Sequence, residues 1–205
     1  MPRKKLLHIL LGAIIGIVVV VPLGVYAFIK SGVFNVAASH PHTKFTEWIT
    51  HETMIHSVRR HASDIDPPAY AAAAQVEAGF CAYETHCVAC HGAPAVAREQ
   101  WVGGLEPQPP YLIDATSHWT PQQLFWIAKN GIKMTGMPSW RDSMLDGQIW
   151  QVVAFIEAMR TLPPQTYLQW RARRMCSGFS GPWPAPGSQT ILPRGLARQT
   201  AATGE

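Results

Sequence analysis

The 205-residue sequence predicts an all-α protein, with one N-terminal transmembrane helix followed by a small helical domain with long loops. Three observations predict it. Leu6 to Ile29 reads LLHILLGAIIGIVVVVPLGVYAFI and contains no Asp, Glu, Lys or Arg. Later segments space their apolar residues as one face of a helix does, as with Ile149, Val152, Val153 and Ile156. No run alternates apolar and polar residues as a half-buried strand would.

As a helix, residues 6–29 would be about 36 Å long, enough to cross a ~30 Å hydrocarbon core with some tilt. Pro22 and Gly24 are tolerable inside a membrane helix. Arg3, Lys4 and Lys5 precede the run and only Lys30 follows closely. The positive-inside rule therefore puts the N-terminus in the cytoplasm and the rest of the chain on the outer, periplasmic side. Val36-Ala37-Ala38 offers the small residues of a signal-peptide cleavage site, but a signal core is usually only ~7–15 residues long. An uncleaved single-pass anchor is the expectation, with membrane lipid as the partner of residues 6–29.

The expected organisation is residues 1–30 as cytoplasmic N-terminus and anchor, 31–68 as a linker with one helix, 69–163 as the domain, and 164–205 as a C-terminal extension. Within the linker, Phe45 to Ala62 reads as a weakly amphipathic helix through Trp48, Ile55 and Val58. His51, His56 and His61 are five apart, where a shared metal on a helix favours three or four, so they read as solvated side chains. Asp66-Pro67-Pro68 breaks the chain. From Ala69 the sequence AYAAAAQVEAGFCAYETH is helical. Thr120-Pro121 opens a second helix that stops at Gly131, with Leu124 and Ile127 on one face. IWQVVAFIEAMR, Ile149 to Arg160, forms a third. The tail, rich in Gly, Pro, Ser and Thr, is expected to be disordered after residue 176.

The net charge of +4 is uneven. Residues 70–165 carry five basic against eight acidic residues, and the excess of positive charge lies at the two ends. A mildly acidic middle argues against nucleic acid as its partner.

Three of the four cysteines fall in CAYETHCVACH, Cys81 to His91. Zinc would need a second pair of ligands, and none follows at a sensible distance. A thioredoxin-like site would want βαβ surroundings, and these are helical. A simple disulfide between Cys87 and Cys90 leaves His91 unexplained. C-x-x-C-H is the attachment motif of c-type haem, and that chemistry uses every residue of it. Cys87 and Cys90 bond the two vinyl groups of one porphyrin, and His91 supplies an imidazole to the iron. The expected cofactor is one covalently bound haem c per chain. A core this thin also needs such a group to fill it.

With these residues in view, the stretch from Ala69 to Pro163 resembles the class I monohaem cytochromes c, in their membrane-anchored bacterial form. GFCAYETHCVACHGAP is similar to the family's first helix and haem-binding turn, with Gly79 and Tyr83 at the positions that pack on the last helix. PPYLID, Pro109 to Asp114, resembles the loop whose proline carbonyl accepts a hydrogen bond from the ligand histidine, which implies Pro110 for His91. NGIKMTGMPSW, Asn130 to Trp140, is similar to the methionine-ligand loop. Met137 precedes Pro138 as in that loop, which implies Met137 rather than Met134 as the second axial ligand; sulfur there favours the ferrous state. Cys81 and Cys176 stand outside the haem motif. In an oxidising compartment they either pair with each other or remain unrelated thiols.

The resemblance implies an electron carrier rather than an enzyme. It would carry single electrons between a membrane or periplasmic donor and an acceptor such as a terminal oxidase, alone or as a subunit of a larger respiratory or dehydrogenase complex. Redox proteins are the expected partners, with no small-molecule substrate. The place is the bacterial cytoplasmic membrane, with the haem domain on the periplasmic side. The alternative is a haem peroxidase or gas-binding protein, which needs an open distal site that Met137 would close.

Overall fold

The structure, a computed structural model, describes residues 3–68, 73–173 and Cys176. The start of the helix expected from Ala69, and the disorder expected after 176, lie outside the described residues. Those described are helical; they contain no strand and one isolated bridge, Ala93 to Val96. The chain divides into two units, Met1–His42 and Thr43–Glu205.

The first unit is built on α1, Arg3–Ser31. At ~1.5 Å per residue its 29 residues extend about 44 Å. It is long and apolar enough to cross a membrane, and none of its most apolar stretch is buried by the protein. Pro22 lies inside it without ending it, and Lys30 lies in its last turn. A cation there suits the negative end of the helix dipole.

The second unit begins with α2, Lys44–His61, opened by Thr43, whose hydroxyl accepts from the Thr46 N–H at 3.2 Å. This is the helix expected in the linker. It is part of the compact body: Val58 and Ala62 are buried, and His61 stacks on Trp126 with ring centroids 5.6 Å apart. Trp126 belongs to α5, Pro121–Asn130. This packing was hard to read from sequence, because α2 buries little beyond Val58 and Ala62 near its C-terminal end.

The core is the pairing of α3, Ala73–His86, with α6, Asp146–Met159. Gly79 makes the closest approach. A Cβ there would stand 1.9 Å from the Gln151 carbonyl oxygen and 2.9 Å from Phe155 Cβ, so only hydrogen fits. Beside this contact Tyr83 packs on Phe155 with centroids 5.2 Å apart, and Phe80 meets Phe155 edge-on at 5.6 Å. The apolar face expected for α6 is present but too narrow. Trp150, Ala154, Phe155 and Met159 are buried along with Ile149, Val152, Val153 and Ile156, because α6 is enclosed on several sides. In α5, Leu124 and Phe125 are the buried residues and Ile127 is half-buried. Phe125 stacks on Trp150 at 4.3 Å, which turns that face of α5 toward α6.

One helix falls outside the sequence expectations. Pro163-Pro164 opens α7, Pro164–Ala172, which has Pro at its first position, a recognised start signal. Tyr167 is fully buried against Phe80, and Trp170 meets Phe80 at 5.4 Å. The Tyr167 hydroxyl donates to Glu84, and Arg171 pairs with the same carboxylate at 2.6 Å. A disulfide between Cys81 and Cys176 then ties the segment after α7 to α3, resolving the alternative left open by the sequence.

Candidate functional site

α3 ends at His86, and a short helix, α4, Val88–His91, follows. The Cys87 N–H still donates to the Tyr83 carbonyl at 2.8 Å, and the His91 N–H donates to the Cys87 carbonyl at 2.9 Å. Cys87, Cys90 and His91 are thus held on one helical turn, at positions i, i+3 and i+4, which share a face. The turn is closed by the Gly92 N–H on the Val88 carbonyl at 2.8 Å and by the Tyr83 hydroxyl on the Gly92 carbonyl at 2.6 Å.

Both Cys87 and Cys90 are free thiols. Burial pushes the Cys87 thiol up to about 12, with the neighbouring Cys90 adding to the effect, and burial raises Cys90 as well. His91 is 8% exposed. Its Nδ1 lies 2.8 Å from the Pro110 carbonyl oxygen, across nineteen residues of chain. That oxygen only accepts, so the proton sits on Nδ1 and Nε2 keeps its lone pair. Burial holds the ring below the usual histidine range, and the Arg98 charge works in the same direction against the opposing bond to Pro110. Burial favours the neutral imidazole and the bond to Pro110 orients it, as suits a metal ligand.

Pro109 and Pro110 lie in the loop ahead of the 3-10 turn Leu112–Ser117. The Met137 loop follows α5. Gly131 has φ +67°, and a Cβ there would stand 2.6 Å from the Pro138 carbonyl carbon and 2.7 Å from the Met137 oxygen. Glycine therefore lets the end of α5 lie directly against the Met137–Pro138 backbone. The Met137 N–H donates to the Thr135 hydroxyl at 3.1 Å, and the Ile132 N–H donates to the Met137 carbonyl at 3.3 Å. Met137 is half-buried, whereas Met134 is 98% exposed at φ +59°. Met134 fills no gap in the interior. Trp140, at the end of this loop, packs on His86 with centroids 5.2 Å apart. The loop therefore reaches the end of the helix that delivers Cys87.

The donor set suits a covalently attached haem: two unpaired thiols one turn apart, a neutral imidazole with one nitrogen free, and a thioether on a pinned loop. Among the described residues, no three His, Cys, Asp or Glu side chains gather where a bare metal ion could be held. The histidines of α2 stay apart, and His56 pairs with Glu52 at 3.7 Å.

Residues 74–156 match the family described as cytochrome c oxidase, cbb3-type, subunit III. This segment is a c-type cytochrome domain. The match runs from the first residues of α3 through the attachment turn and the Met137 loop to Ile156 in α6. α1, α2, α7 and Cys176 lie outside it. No curated protein and no solved structure matches the chain. The matched domain supports an electron-transfer role, and the helical architecture of the described residues with its apolar N-terminal helix is consistent with a membrane-anchored form.

Sequence reasoning missed two residues around the site. Arg98 donates to the Pro109 carbonyl and lies 4.1 Å from the centroid of the Tyr111 ring. Leu105 abuts the Met137 loop, where a Cβ at Gly136 would stand 3.1 Å from its Cδ1. A lone arginine and a lone leucine in loops carry no periodic signal.

Proposed function

We propose that the chain is a membrane-anchored cytochrome that holds one haem c and passes single electrons between a membrane or periplasmic donor and an acceptor such as a terminal oxidase, as a subunit of a respiratory or dehydrogenase complex or alone. The observation that carries this reading is the hydrogen bond from His91 Nδ1 to the Pro110 carbonyl, made beside two unpaired thiols on the same turn.

Cys87 and Cys90 would hold the haem by thioether bonds, and His91 Nε2 and the Met137 sulfur would be the side-chain atoms that bind its iron. When bound, the haem would supply a one-electron redox couple. The Pro110 carbonyl fixes the tautomer of His91 and makes the imidazole a stronger donor. The Tyr83 hydroxyl and α6 hold the attachment turn against the core. Gly131 and the Thr135 hydroxyl fix the approach of Met137.

Residues 1–30 would anchor the protein in the bacterial cytoplasmic membrane. Arg3, Lys4 and Lys5 favour an N-terminus in the cytoplasm and the haem domain outside. The Cys81–Cys176 disulfide supports the same side, since disulfides persist in oxidising compartments. Residues 31–42 serve as the tether, and the body from Thr43 onward carries the redox centre.

The test is denaturing electrophoresis with a haem stain, on full chain expressed with a haem-attachment system. The wild type should stain at the mass of the chain, and the Cys87→Ala/Cys90→Ala pair should not. An unstained wild type overturns the reading.

A further inference from the structure

The carbonyl that orients His91 belongs to a segment with little backbone support of its own. Pro109 and Pro110 both lack an N–H, so neither can be pinned by donating to a neighbour. Two contacts from one side chain supply what the backbone lacks. Arg98 Nη1 donates to the Pro109 carbonyl, one residue before the carbonyl that faces His91. The same guanidinium lies over the Tyr111 ring, one residue after it, at 4.1 Å from the centroid. The Tyr111 ring in turn rests on Gly92, where a Cβ would come within 2.7 Å of Cε1. Arg98 is itself tied to the attachment turn. The bridge between Ala93 and Val96 precedes it, and the Glu99 N–H donates to the Ala89 carbonyl at 2.9 Å.

We propose that Arg98 is a positioning residue for His91, clamping Pro109 and Tyr111 so that the Pro110 carbonyl stays on Nδ1. The planar guanidinium suits both contacts at once, with a directed N–H for the carbonyl and a flat face for the ring. A lysine keeps a donor but loses the flat face. The clamp would make the histidine's orientation depend on a residue seven positions further along the chain.

The inference rests on His91 being the iron ligand, and one experiment separates the two. The full-length haem protein in detergent, in its ferrous diamagnetic state, is followed by NMR. The wild type first shows whether the His91 ring protons carry the large shifts that a haem plane imposes on an axial ligand. If they do not, the ligand reading fails and this inference falls with it. If they do, exchange of the His91 Nδ1 proton with deuterium reports the clamp. Arg98→Ala should speed that exchange about 10-fold, in keeping with the loss of a charged hydrogen-bond donor. Arg98→Lys should give an intermediate rate. The amide of Phe155 in the α3–α6 core should exchange as in the wild type. Unchanged Nδ1 exchange in both variants overturns the proposal, as does equal acceleration at Nδ1 and at the Phe155 amide, which would mean general loosening. Should Arg98→Ala fail to accumulate, the same comparison on Arg98→Lys decides.

Discussion

Trp140 lies against His86, ring centroids 5.2 Å apart, so the loop that carries Met137 closes on the end of the helix that delivers Cys87 and His91. Residues 54 positions apart meet there; α5 lies between them in the chain, and α6, which follows Trp140, packs against both α3 and α5. α3, which leads into the attachment turn, approaches α6 through Gly79, and the Met137 loop approaches the end of α5 through Gly131.

Gly79→Ala should destabilise the domain severely. Its Cβ would stand 1.9 Å from the Gln151 carbonyl, and backbone cannot swing away as a flexible side chain does. Forcing α3 from α6 should cost about 3 kcal/mol, at the upper end for overpacking. A thermal melt followed by circular dichroism in detergent should show a clear fall in midpoint, or the variant should fail to accumulate haem-loaded protein. A midpoint equal to wild type would contradict the packing.

Gly131→Ala should act on the Met137 loop. Alanine at φ +67° costs roughly 1–2 kcal/mol from the left-handed conformation alone, and its Cβ also meets the Pro138 backbone. The expected outcome is covalent haem retained with part of the ferrous population losing its sixth ligand, seen in the visible spectrum. An unaltered low-spin spectrum and an unaltered melting midpoint would count against it.

Met137→Ala should open the sixth iron position, lower the reduction potential and admit carbon monoxide, while covalent attachment survives. Met134→Ala should change the spectrum little, because that side chain is 98% exposed. Ligand-binding spectra of the two variants side by side decide the assignment, and the reverse pattern overturns it.

Cys81→Ser/Cys176→Ser should loosen α7 without disturbing the haem. The disulfide spans 95 residues, and removing such a link typically costs about 2–5 kcal/mol. Tyr167 and the Glu84–Arg171 pair still hold α7, so the expected loss lies toward the lower end. Limited proteolysis should cut the C-terminal segment faster, with an unchanged haem spectrum.

The attachment site was legible because its chemistry is local. Cys87, Cys90 and His91 occupy one helical turn, and the spacing of two thiols and an imidazole is written directly in the sequence. The helices of the core were legible for a similar reason, since Ile149, Val152, Val153 and Ile156 repeat at helical spacing. What escaped depends on distance in space. α7 carries few apolar residues, and its burial is decided by Phe80 and by Glu84, the latter 83 residues before Tyr167. α2 read as linker because the ring that covers His61 lies in α5. Arg98 matters through two carbonyls and a ring that no pattern in its own neighbourhood announces.

Spectroelectrochemical titration of the purified full chain, with haem and protein quantified on the same sample, asks whether a single haem bound by His91 and Met137 works as a one-electron carrier. The expected result is one haem per chain, one reversible wave with the slope of a single electron, and a ferrous spectrum unchanged by carbon monoxide. A ferrous form that binds carbon monoxide readily and turns over peroxide, or more than one wave per chain, would contradict it.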